Sequence, residues 1–185
     1  MTTIMDTLLE EMDRIWDKFI KCRSLFPYTP PNLIGTRKAY TAPYYRQFGF
    51  DVTFDFGVGL TSDDIAKINS VGHYINQNFL VRLYALLESF HIVSNVIKLD
   101  RSITTWEDMD ILRRLRDKFA HTSGKYDPND KDQKKLCDRI TDHFKLENTD
   151  PPDFPLDIDK VLEPMVVACN AYVREFMEKN GPDSE

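Results

Sequence analysis

The sequence contains no uninterrupted apolar stretch near the roughly 20 residues that a membrane-spanning helix needs, so a helical membrane span is not expected. Cysteine is scarce. Cys22, Cys137 and Cys169 are an odd number, far apart, with no C-x-x-C pair, which excludes a disulfide framework and a thiolate zinc site. They read as small core residues of a reducing compartment. Glycine is sparse too, at 7 residues, and no glycine-rich phosphate loop exists: Gly57-Val58-Gly59 lacks the third glycine and the following lysine. Neither a G-x-S-x-G elbow nor an H-E-x-x-H pair is present, and there is no N-x-[ST] sequon. The N-terminal MTTIMDTLLEEMDRIWDKF carries acids where a signal peptide needs bases. An excess of positive charge is also missing: 30 acidic residues face 24 basic ones, a formal charge of −6, which argues against nucleic-acid binding through a global field. The expectation is a soluble, cytoplasmic chain that uses no cofactor or metal and no membrane.

What is present is enough for a core. The 185 residues are 42% hydrophobic and 12% aromatic, and a chain of this length buries roughly 70% of its unfolded surface. Apolar residues recur at steps of three and four through Ile4, Leu8, Met12, Ile15, Phe19, Cys22 and Phe26, which is helical spacing. Thr61-Ser62-Asp63-Asp64 opens a second helix with capping oxygens and first-turn acids; its stripe runs from Ile65 through Val71, Ile75, Phe79, Leu83 and Phe90 to Ile97. Gly72 inside it predicts a kink. Thr104 and Glu107 have capping-box spacing before a third helix that buries Trp106, Met109, Leu112, Leu115 and Phe119 and frays near Ser123-Gly124. A fourth helix starts near Asp127-Pro128 and uses Leu136, Ile140 and Phe144. Asp150-Pro151-Pro152 then breaks the chain. The last helix buries Val161, Met165, Cys169, Tyr172 and Val173, and Pro164 must lie in its first turns or kink it.

Residues 27–60 depart from this plan. Prolines and the aromatics Tyr28, Tyr40, Tyr44, Tyr45, Phe48 and Phe50 crowd there, and Phe50, Val52, Phe54, Phe56 and Val58 alternate with polar or small residues, a period of two that marks a strand. A strand needs a partner, either within Lys38–Gln47 or in another subunit. The expected architecture is therefore all-α: one domain, residues 1–185, an up-and-down bundle of about five helices with an aromatic insertion at 27–60 that carries a short β-hairpin.

The chemistry concentrates at the end of the third helix. From Arg113 to Lys125 five cations stand against Asp117, a local charge of +4 that leaves −10 on the rest of the chain. Arginine grips phosphate with two-pronged geometry, and histidine moves protons near neutral pH. These are the two groups that metal-free phosphodiester cleavage needs. Arg116-Asp117-Lys118-Phe119-Ala120-His121 resembles the R-x4–6-H motif of the HEPN superfamily, small helical domains in which a polar residue, most often asparagine, follows the arginine. The resemblance covers the motif and the helical plan (1–26 and 62–179), not the insertion. Ser123 stands where some relatives carry the tyrosine of H-x-Y. Arg114 forms R-x6-H with the same histidine. Seven residues return a side chain to nearly the same helix face, whereas five turn it by about 140°, so both arginines stay open, with Arg116 favoured by the motif's form.

The resemblance implies a homodimer with facing motifs and a metal-independent endoribonuclease of the toxin or antiviral-defence kind, in which the RNA 2′-hydroxyl attacks the adjacent phosphate. His121 would be the general acid or base, Arg116 would stabilise the phosphoryl charge, and Asp117, Arg114 and Glu88 would support them. Arg113, Lys118 and Lys125 would contact RNA, and an antitoxin or regulatory protein would be a further partner. The alternatives are a non-catalytic module of the same fold that binds RNA or a partner protein, and a helical adaptor docking through the insertion. Glu88 and His91 have E-x-x-H spacing, but a di-iron site needs a second such pair and the sequence has none. His73 and His143 read as partly buried or surface residues. The insertion's tyrosines, with Arg37, Lys38 and Arg46, offer base-stacking surfaces or plugs for a core.

Overall fold

The computed structural model describes residues 3–94, 97–121, 125–147 and 153–180. It is an all-α fold with one small sheet. Among the described residues the α-helices are α1 (Ile4–Leu25), α2 (Pro43–Arg46), α3 (Ser62–Ser89), α4 (Trp106–His121), α5 (Lys131–His143) and α6 (Glu163–Asn180). Strands β1 (Lys38–Tyr40) and β2 (Thr53–Asp55) lie between α1 and α3. The chain divides into two compact units, residues 14–79 and residues 1–13 with 80–185. Among the described residues no helix is long and apolar enough to cross a membrane.

In the unit of residues 14–79, β1 and β2 pair antiparallel with Ala39 opposite Phe54, so the strand's partner is intramolecular. Thr41 extends the ladder: its N–H donates to the Val52 carbonyl at 2.9 Å while its hydroxyl accepts from the Val52 N–H at 2.8 Å. Asn69 of α3 ties the start of the insertion down, accepting from the Thr29 N–H at 2.8 Å and donating to its carbonyl at 2.9 Å. Phe19 and Phe79 stack at 4.3 Å between ring centroids, with Trp16 edge-on to Phe79. The capping of α3 is as the sequence indicates: Asp64 accepts from the Thr61 N–H at 3.0 Å, and the Thr61 hydroxyl accepts from the Asp64 N–H at 3.2 Å.

Gly72 marks no break, because α3 runs as α-helix from Ser62 to Ser89. Its lack of a Cβ makes room for Arg23 instead. A Cβ there would strike the Arg23 Nη1, lie 2.9 Å from its Cζ and come within 3.2 Å of the Phe26 carbonyl oxygen. Arg23 is 5% exposed and donates to that carbonyl.

In the other unit α4 packs against α5 and α6. Leu83, Leu87, Met109, Ile111, Leu112, Leu115, Ile140, Met165, Cys169 and Tyr172 are all fully buried. Burial pushes the Cys169 thiol far up, so it is the inert core residue that its apolar neighbours imply. The Tyr172 hydroxyl, buried among them, accepts from the Asp100 N–H at 2.8 Å.

Several local expectations shift. α4 starts at Trp106, which places Thr105 rather than Thr104 just ahead of it. α5 is capped by Asp130, whose carboxylate accepts from the N–H groups of Asp132 and Gln133, while Asp127 accepts from Asn129 in the preceding turn. Pro164 sits in the first turn of α6, and the wide π-turn Ile158–Leu162 ahead of it accommodates the missing donor. Ile4, Phe26 and Val71 face solvent although helical spacing assigns them to a stripe, and Cys22 is exposed as well. α3 ends before His91, which lies at φ 57°, so Glu88 and His91 do not share a helix face. The expected fraying at Ser123-Gly124 and the break at Asp150-Pro151-Pro152 lie outside the described residues.

Candidate functional site

α4 carries the basic cluster because its sequence is amphipathic twice over. One side buries Met109, Leu112 and Leu115. The opposite side repeats charge at Asp110, Arg113, Arg114 and Asp117, the three- and four-residue steps that make neighbours on a helix. Asp110 is the hub. Its carboxylate accepts from Arg113 Nη2 at 2.7 Å, from Arg114 Nε at 3.0 Å, and from Arg139 Nη1 of α5 at 2.5 Å. The Asp110 side chain is only 12% exposed, and the three arginines are 30–54% exposed. Burial by itself would raise the Asp110 pKa, but the hydrogen bonds from Arg139, Arg113 and Arg114 outweigh it and hold the carboxyl far below the usual range.

The three arginines stand where two open clefts meet. One, of about 870 Å³, is lined by Tyr84, Val93, Lys98, Arg101, Trp106 and Glu107 with the Asp110 cluster. The other, of about 600 Å³, continues past the same arginines to Asp117, Lys118, Asp132 and Lys135. Seven cations and four carboxylates therefore line one groove along α4 and α5. Trp106, assigned to the core by its spacing, is half-buried and lines this groove, with the Arg101 guanidinium carbon 5.3 Å from its ring centroid.

Arg116 points elsewhere. Its Nη2 donates to Glu88 Oε2 at 2.9 Å and its Nη1 to Asp117 Oδ1 at 2.9 Å, and its guanidinium carbon lies 5.2 Å from the Tyr84 ring centroid. Burial opposes its charge, but the hydrogen bond to Asp117 and the nearby Glu88 carboxylate together raise its pKa. Glu88 is thus brought to the motif's arginine from α3. His121 is exposed at the last residue of α4. On a regular helix it lies about 20° around the axis from Arg114 and about 140° from Arg116, so it shares the groove face with Arg114, two turns further along. Neither Arg116 nor His121 lines the two clefts. Arg113 and Lys118 line the groove, whereas Lys125 is exposed beyond the end of α4.

His73 and His143 are half-buried, and His91 is exposed. His143 Nε2 lies 2.9 Å from Asp108 Oδ1. Among the described residues no three His, Cys, Asp or Glu side chains come together as a metal ion would need. Sequence reasoning missed Asp110, Arg139, Lys135, Lys98, Arg101 and Trp106 as groove residues. The Asp110-x-x-Arg113-Arg114 spacing was a readable signal for the hub; for Arg139 and Lys135 there was none, because only packing brings α5 to α4.

What the fold and the groove define is a class: a small all-α protein whose exposed chemistry is a carboxylate-organised set of arginines along two packed helices. No protein-family model matches the chain, and no curated protein or solved structure matches it either.

Proposed function

We propose that the protein binds RNA, holding consecutive backbone phosphates along the groove between α4 and α5. The observation that carries this reading is the Asp110 hub. It holds three arginines at the junction of two open clefts, and a guanidinium held in place loses less freedom when it grips a phosphate. The acidic remainder of the chain confines any such contact to this narrow strip. RNA affinity should therefore fall steeply with salt, with a slope in log K against log salt of roughly −0.7 per phosphate neutralised on a single strand. Lys135→Ala, at an exposed groove position, is expected to weaken binding of all sequences alike and to flatten that slope by nearly one phosphate's worth. Binding insensitive to salt, or a variant that binds as the parent does, would sink the reading.

One observation favours a second reading in which the bound strand is also cut. His121 is exposed at the end of the arginine row, on the side of α4 that carries Arg114, with Arg116, held by Glu88 and Asp117, about 140° around the helix axis. In the HEPN-like mechanism the 2′-hydroxyl loses its proton to a base, attacks the phosphorus and expels the 5′-oxygen, which takes up a proton. The products are a 2′,3′-cyclic phosphate and a 5′-hydroxyl. His121 would move the protons, Arg116 would stabilise the phosphoryl oxygens, and a homodimer would set two such pairs across from each other. His121→Ala is expected to abolish cleavage measured in chelator while the helical circular-dichroism signal stays unchanged. An undiminished rate in that variant would remove the catalytic reading and leave RNA binding standing.

A further inference from the structure

The groove is not uniform along its length. Beyond the arginines towards Lys135 its lining is charged side chains and Leu136, with no aromatic ring, which suits a sugar–phosphate backbone. At the opposite end the larger cleft adds Trp106, half-buried at the start of α4, with Arg101 over its ring, and the buried Tyr84. A planar ring next to cations matches the chemistry of a nucleotide unit, whose base stacks on an aromatic or guanidinium plane while its phosphate meets an arginine. A cleft of about 870 Å³ lies in the range of pockets that enclose such a ligand. Stacking between neighbouring base pairs in a duplex would bury the faces that this surface could use.

We infer that the cleft at Trp106 is a base subsite, which takes one unpaired nucleobase of single-stranded RNA against the Trp106–Arg101 pair while the flanking phosphate is held by Arg113, Arg114 and Arg139. This rests on the groove being a phosphate site, as proposed above. The same chemistry could come from a free nucleotide. The strand is favoured because the cationic groove continues past Arg139 to Lys135 and Lys118, where further phosphates of one chain would lie.

The test compares a short single-stranded oligonucleotide, its duplex form, adenosine monophosphate and inorganic tripolyphosphate on the full chain. Trp106→Leu is expected to weaken the oligonucleotide roughly 5- to 150-fold, the loss of one stacked base, and to leave tripolyphosphate unchanged. Trp106→Tyr should restore most of the affinity. The chain has two tryptophans, so Trp16→Phe leaves Trp106 as the sole indole emitter, and its fluorescence should be quenched by the oligonucleotide and not by tripolyphosphate. That readout also serves if Trp106→Leu does not fold. Equal loss for both ligands, or no loss, overturns the base subsite while the phosphate groove stands. Monophosphate binding as tight as the oligonucleotide, or a duplex that quenches equally, overturns the assignment to a single strand. If wild-type protein binds neither oligonucleotide nor tripolyphosphate, the phosphate groove itself fails, and the subsite with it.

Discussion

Replacing Asp110 with asparagine is expected to destabilise the protein by about 2–3 kcal/mol at neutral pH, with the deficit closing in acid. The side chain is 12% exposed and accepts hydrogen bonds from Arg113, Arg114 and Arg139. Removing one member of a buried ion network costs about 3–5 kcal/mol, because the remaining charges stay behind unpaired. The arginines here are partly solvated, so the lower figure applies. The pH dependence follows from the direction of the shift. The folded-state pKa of Asp110 is strongly depressed, so its contribution is complete above the unfolded value of about 3.9 and is lost as the pH falls from there towards the folded value. Between those limits the unfolded chain binds a proton that the folded one does not. Urea denaturation of parent and variant at pH 7, 4 and 3 checks this. The gap should be constant from pH 7 to near 4 and smaller at 3. A gap that widens in acid would mean that the arginines are held by something other than the Asp110 charge.

Gly72→Ala is the second substitution with a large expected effect, and its sign runs against helix propensity. In an exposed helix interior the change gains about 1 kcal/mol. Here the new methyl must displace the Arg23 guanidinium, which is 5% exposed and hydrogen-bonded to the Phe26 carbonyl. Burial lowers the pKa of Arg23, with Tyr45 partly offsetting it. Overpacking costs about 1–3 kcal/mol, and a lost hydrogen bond from a charged donor about as much again. The expected net effect is a destabilisation of about 2 kcal/mol. The control is the same change in an Arg23→Ala background, where the obstruction is gone and Gly72→Ala should be neutral or stabilising by up to about 1 kcal/mol. Should Gly72→Ala stabilise the otherwise unaltered protein, the steric account of this glycine is wrong.

Legibility in the sequence varied with the range of the interaction. Helix existence, the cap at Thr61 and Asp64, and the strand at Phe54 were readable because periodicity and capping act over a few residues. The stripe was misread at Ile4, Phe26 and Val71 for a related reason: spacing says which side of a helix is apolar, not how far along the helix a partner extends to cover it. Gly72 was misread as a kink because a missing side chain looks the same in sequence whether it loosens a backbone or admits a neighbour. The Glu88–His91 spacing suggested a shared face only on the premise that α3 continues past Ser89, and it does not.

The sequence by itself determined the all-α class, the short hairpin within the aromatic segment, and the concentration of positive charge around one helix end on an acidic chain. Those follow from local rules of spacing, capping and charge count. Only the tertiary structure decided which cations work together. Arg139 and Lys135 join the groove, Asp110 gathers three arginines, and Arg116 turns away to Glu88. That partition depends on which faces of α3, α4 and α5 meet, and the meeting is set by the packing of buried side chains across the core, a long-range outcome that no single helix's pattern contains.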